Sequence, residues 1–177
     1  MKTLIDHINE ALKIGKDISS FSIHSCQPKT KKELENIIDE RISEHGVDCN
    51  LNDIDVSQIT DMSCLFYHLE FNGDISEWNT SNVEKMNSMF SNSKFTGDIS
   101  KWDVSKVTNM EYMFYKSQFN NKISDWDVIN VKDMWGMFAW SEFNGDISNW
   151  NIRKDCDTRT IFTDCSIKNE YKPKLPK

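Results

Sequence analysis

Apolar residues recur along this chain at one fixed interval, and the polar residues between them keep the same step. Trp78, Trp102, Trp126 and Trp150 stand 24 residues apart, and Ile54 takes the same place one interval earlier. Further columns hold register without insertion: Ile59, Val83, Val107 and Val131; Met62, Met86, Met110 and Met134; Leu65, Met89, Met113 and Met137. Phe66, Phe90, Phe114 and Phe138 follow, then Phe71, Phe95, Phe119 and Phe143, then Ile75, Ile99, Ile123 and Ile147. One such unit cannot bury its own apolar face, so neighbouring units must cover one another.

Each unit carries two periodicities. Ile99-x-x-Trp102-x-Val104 alternates, which predicts a short strand with Trp102 and Val104 inward and Asp103 outward. Val107-x-x-Met110-x-x-Met113-Phe114 has a spacing of three to four, which predicts a short helix or 3-10 turn. The Phe-Asn-Gly-Asp segments then reverse the chain, with glycine expected to supply positive φ. The expected fold is an α/β solenoid: leucine-rich-repeat coils, a parallel sheet on one side, and short helices or 3-10 turns on the other.

The string FTGDISKWDVSKVTNMEYMF resembles the BspA-like leucine-rich repeat known from mycoplasma and bacterial surface proteins. The likeness covers about residues 51 to 152. It implies a right-handed coil and no defined ligand.

The flanks read as caps. Residues 1–50 form a helical N-terminal cap, 51–152 the regular array, and 153–177 a C-terminal cap with a basic tail. Leu4, Ile5, Ile8 and Leu12 predict a helix over about residues 2 to 14, and Ile18-x-x-Phe21-x-Ile23 a divergent first strand. Thr30-x-x-Glu33 reads as a capping box before a helix carrying Leu34, Ile37, Ile38 and Ile42, with Gly46 as its C-cap. At the far end Thr158 and Ile161 replace methionines, only Phe162 persists, and Lys172 to Lys177 should fray.

Charge changes the picture of partners. The net charge is −7, made up of −2 over residues 1–50, −8 over 51–150 and +3 over 151–177. The acidic middle would repel a phosphate backbone, so direct nucleic-acid binding is not expected and a protein with a basic surface is. No apolar run is long enough for a membrane span, and Asp6 and Glu10 interrupt any signal-peptide core, which predicts a cytoplasmic protein. The five cysteines form no CxxC pair and read as reduced thiols.

No catalytic constellation emerges. His7, His24, His45 and His68 are scattered, and no phosphate-binding loop or nucleophile motif is present, so no enzyme activity is expected. Asp74, Asp98 and Asp146 suggest a calcium ladder, but Lys122 breaks the column, and carboxylates satisfying turn amides are the simpler account. No cofactor or metal is expected.

Two surfaces stand out as docking sites for a protein partner. Outward strand positions gather Asp53, Asp55, Glu77, Asp103, Asp125 and Asp127 against Lys101 and Arg153, a balance of −4. Tyr112, Tyr115, Trp135 and Trp140 occupy columns that elsewhere hold Ser, Asn, Glu, Lys or Ala, which core packing does not require. The leading expectation is a non-enzymatic interaction module. One alternative is a phage or mobile-element inhibitor of a host defence nuclease, such as a CRISPR effector, in which the acidic face mimics nucleic acid. Another is a secreted or surface adhesin domain.

Overall fold

The computed structural model describes residues 26–176. The helix expected over 2–14, the divergent strand at Ile18 to Ile23, and His7 and His24 lie outside the described residues.

The parallel-sheet solenoid is not the fold. Among the described residues the regular elements are one α-helix, α1 (Lys31–His45), and one 3-10 turn at Asn169–Tyr171. Strand pairing is confined to isolated parallel bridges, among them Asp61↔Lys85↔Asn109↔Asp133↔Asp157. No sheet extends from them, and the short helices expected after Val107 and its counterparts are absent as well.

The reason lies in where the backbone hydrogen bonds go. Around the tryptophans the expected strands are cut into turns: the Trp102 amide bonds the Ile99 carbonyl and the Val107 amide the Val104 carbonyl. Asp98 and Asp103 accept the amides two residues on, from Ser100 and Ser105, at 2.9 Å each. No backbone bond joins residues 75–80 to residues 99–104. Side chains bridge them instead, the indole Nε1 of Trp102 donating to the Ile75 carbonyl at 3.1 Å and Thr80 Oγ1 to the Asp103 carbonyl at 2.9 Å.

The methionine and phenylalanine half forms a ribbon of overlapping turns. Amides of Leu65, Tyr67 and Leu69 bond the carbonyls of Met62, Cys64 and Phe66 in their own segment. The alternate amides of Met62, Cys64, Phe66 and His68 reach the carbonyls of Lys85, Asn87, Met89 and Ser91 in the next segment, at 2.9–3.0 Å. The third residue of the first and third turns adopts positive φ, 56° at Cys64 and 58° at His68, and the pattern returns at Ser88 and Asn92, Tyr112 and Lys116, Gly136 and Trp140, and Thr160 and Asp164. A right-handed helix cannot pass through such residues.

The apolar columns fill the interior. All four Phe66-column rings are fully buried, as are the four of the Phe71 column, while the tryptophans are 4% exposed. Phe66, Phe90, Phe114, Phe138 and Phe162 stack face to face with centroids 5.5–5.9 Å apart. The Gly-Asp turns need glycine for space and not for positive φ: a Cβ on Gly97 would stand 2.6 Å from the Phe95 ring.

Helix α1 follows its sequence signals. Thr30 Oγ1 accepts the Glu33 amide at 3.2 Å, while the Glu33 carboxylate reaches back to the Lys29 amide at 2.7 Å. Gly46, at φ 87°, closes the helix with its amide on the Ile42 carbonyl. Leu34 and Ile38 seal one end of the core. At the other end the Tyr171 carbonyl accepts the Ile147 amide and Pro173 is buried, so the chain remains packed past Lys172, where fraying was expected to begin.

Candidate docking surface

The turn ribbon decides which side chains point outward together. Residues at the positive-φ positions cannot follow the core columns inward, and two bulky aromatics occupy them: Tyr112 at φ 52° and Trp140 at φ 61°. Bulky residues are rare in this region because Cβ crowds the following carbonyl. Trp140 is 56% exposed and makes no ring contact with another aromatic among the described residues. Tyr112 lies against Tyr115 (5.2 Å, 76°) and Trp135 (5.3 Å, 43°). Its ring rests over Gly136, where a Cβ would stand 2.3 Å from Tyr112 Cε1. Arg159 covers Trp135 at 5.3 Å and Lys116 covers Tyr115 at 5.2 Å, both in cation–π range.

Three of the four aromatics named from the sequence therefore meet in one half-buried cluster, and Trp140 stands apart as the exposed member. Arg159 completes the cluster. Its guanidinium also holds Asp157, Nη2 to Oδ2 at 2.7 Å. Sequence reasoning passed over Arg159, although it occupies the same column as Trp135 one interval later. Glu111, in that column one interval earlier, has its carboxyl pushed up by partial burial and by Asp133 and Asp157.

The acidic positions fare differently. With no sheet there is no common strand face, and each carboxylate has local work. Asp53 pairs with Arg41 at 2.8 Å, Asp125 with Lys122 at 2.7 Å and Glu77 with Lys101 at 3.6 Å. Asp55, Asp103 and Asp127 accept the amides of Ser57, Ser105 and Ile129. The Ser105 hydroxyl and amide hold the Asp103 carboxyl below its usual value, and Lys122 does the same for Asp125. Asp74, Asp98 and Asp146 likewise cap the amides of Ser76, Ser100 and Ser148. Among the described residues no group of three or more His, Cys, Asp or Glu side chains could hold a metal ion.

One open depression of about 410 Å³ lies where Asn121 and Lys122 replace the usual Gly-Asp, beside Gly145 and Asp146. Most polar groups around it are committed between segments, as with Asn149 Nδ2 on the Ser124 carbonyl at 3.0 Å. Among the described residues no helix is long and apolar enough to cross a membrane.

The class these features define is a protein of turn-built 24-residue segments whose distinctive exposed groups are aromatic. The chain belongs to the family described as "Mycoplasma protein of unknown function, DUF285", whose model matches residues 32–139 and 93–172. No curated protein and no solved structure matches it.

Proposed function

We propose that this protein is a non-enzymatic interaction module and that a protein partner docks on Tyr112, Tyr115, Trp135 and Trp140. The observation carrying this is Trp140: a large indole, more than half exposed, on a strained backbone where Asn92, its counterpart, fits without penalty. Strain retained at a surface site argues for use of the side chain there, and exposed Trp and Tyr are the residues on which interfaces concentrate their energy.

Trp140→Asn tests the reading without disturbing the fold, since asparagine tolerates positive φ. The variant should be slightly more stable, by up to ~1 kcal/mol. It should lose at least ~30-fold in affinity for a stoichiometric partner captured by the wild-type protein, and Trp135→Ala should lose as much. Capture unchanged in both variants would overturn the aromatic site. An Asp103→Lys, Asp127→Lys double variant should retain the partner. Mimicry of nucleic acid by the acidic positions has less behind it, because those carboxylates are engaged in turns and ion pairs.

The family match favours a second reading. We propose that the Gly-Asp-Ile-Ser-x-Trp string is the BspA-like sequence unit, which makes a surface adhesin domain the alternative setting for the same docking face. Immunolabelling of intact and permeabilised cells of the source organism separates the two settings. Labelling only after permeabilisation sinks the adhesin reading.

A further inference from the structure

The hydrogen bonds between ribbons all run one way. At each of four junctions the earlier segment donates four amides and the later segment accepts them on four carbonyls, at 2.8–3.0 Å throughout. Aligned peptide dipoles add, as they do in a helix, leaving partial positive charge where the N–H groups end. The ribbon at residues 157–164 is the last in this series. Its carbonyls at Asp157, Arg159, Ile161 and Thr163 are taken by the preceding segment, and those of Thr158, Thr160 and Phe162 by its own turns. Its amides at Thr158, Thr160, Phe162 and Asp164 bond nothing, although their counterparts at Met134, Gly136, Phe138 and Trp140 are all paired.

This edge offers donors alone. A second copy of the same edge has no acceptors to give it, so the edge does not pair with itself. Charge points the same way. Residues 151–177 carry +3, and Lys154, Lys168 and Lys172 have no carboxylate partner, Lys172 lying over the half-buried Phe162 ring at 5.7 Å. The opposite edge is treated in the complementary sense: Lys31, in the first turn of α1, donates to Ser63 Oγ at 2.8 Å beside the first ribbon's unpaired carbonyls.

We propose that the open edge at Thr158, Thr160, Phe162 and Asp164, flanked by Lys154, Lys168 and Lys172, docks an acidic extended segment of a partner protein, whose oxygens take the four free amides. Rows of backbone N–H groups bind anionic oxygens in this way, and main-chain pairing along an open edge is an established mode of peptide capture. The site stands independently of the aromatic face.

Amide hydrogen exchange on the full chain, with a ten-residue polyglutamate peptide as probe, tests it. In the free protein the four edge amides should exchange without protection while those of Met134, Gly136, Phe138 and Trp140 are protected; protection at the edge in the free protein would remove the premise. Added peptide should slow the edge amides about tenfold or more, and a polyserine peptide should not. Thr158→Pro, which removes a donor bonded to nothing, should weaken the effect at the remaining three. The proposal falls if polyglutamate gives no protection, or if inorganic phosphate or a single-stranded oligonucleotide protects equally well. Trp140→Asn should leave this protection unchanged, which keeps the edge separable from the aromatic face.

Discussion

The tryptophan side and the methionine–phenylalanine side of each segment share one period, one burial pattern and one chain length, yet they are joined by different chemistry. On the ribbon side, four backbone bonds cross every junction. On the tryptophan side, indole nitrogens, asparagine amides and threonine hydroxyls make the crossing, as with Trp126 Nε1 on the Ile99 carbonyl and Asn130 Nδ2 on the Ser105 carbonyl. Burial fixes which side chains turn inward. It does not fix whether backbone or side chain supplies the bonds between neighbours.

The comparison breaks most severely at the ribbon core. Phe114 is fully buried between the rings of Phe90 and Phe138, so Phe114→Ala should cost ~3–5 kcal/mol in urea unfolding. A loss below ~1 kcal/mol would mean that the ribbon is not the packed half. Trp126→Phe keeps a ring and removes the indole donor to Ile99, so a smaller loss of ~1–2 kcal/mol should follow on the tryptophan side. If this change cost as much as Phe114→Ala, indole stapling would outweigh ring packing.

Acid should separate the two sides with the smallest effect. Backbone and hydroxyl bonds from Ser100 and Ser105 hold Asp98 and Asp103 below the ordinary carboxyl value of 3.8. A depressed folded value contributes stability that is present above the unfolded value and lost as pH falls through the folded one. Below about pH 4, exchange at the Ser100 and Ser105 amides, corrected for its intrinsic pH dependence, should quicken. The Cys64 and Ser88 amides, which bond only backbone carbonyls, should show no such change. Equal loosening on both sides would mean that the turn carboxylates do not set the difference.

The core was legible in the sequence because equal spacing of Trp, Met and Phe has one economical explanation, mutual burial. Helix α1 was legible through Thr30, Glu33 and Gly46, whose capping chemistry is local. The parallel sheet and short helices were not, because periodicity does not report backbone conformation. Ile99-x-x-Trp102-x-Val104 is equally compatible with a strand and with two turns punctuated by aspartate. The decisive signal was present but quiet: Asn92 and Gly136 stand at positive-φ positions four and 48 residues from Ser88, and both residue types tolerate that geometry. Trp140 and Tyr112 were picked out because their columns vary, whereas their strained backbone came only from the structure. Arg159 and the open edge depend on neighbours in space that no single segment displays.

The indole file has a spectroscopic consequence. Trp78 faces Trp102 at 6.2 Å, and Trp126 faces Trp150 at 6.4 Å, each pair nearly coplanar in orientation. Transition moments held so close and so parallel couple, so the near-ultraviolet circular dichroism should report the registry of whole segments. Trp140, solvated and outside the file, becomes an independent fluorophore in the same molecule, dark to that coupling and free to report on whatever comes to cover it.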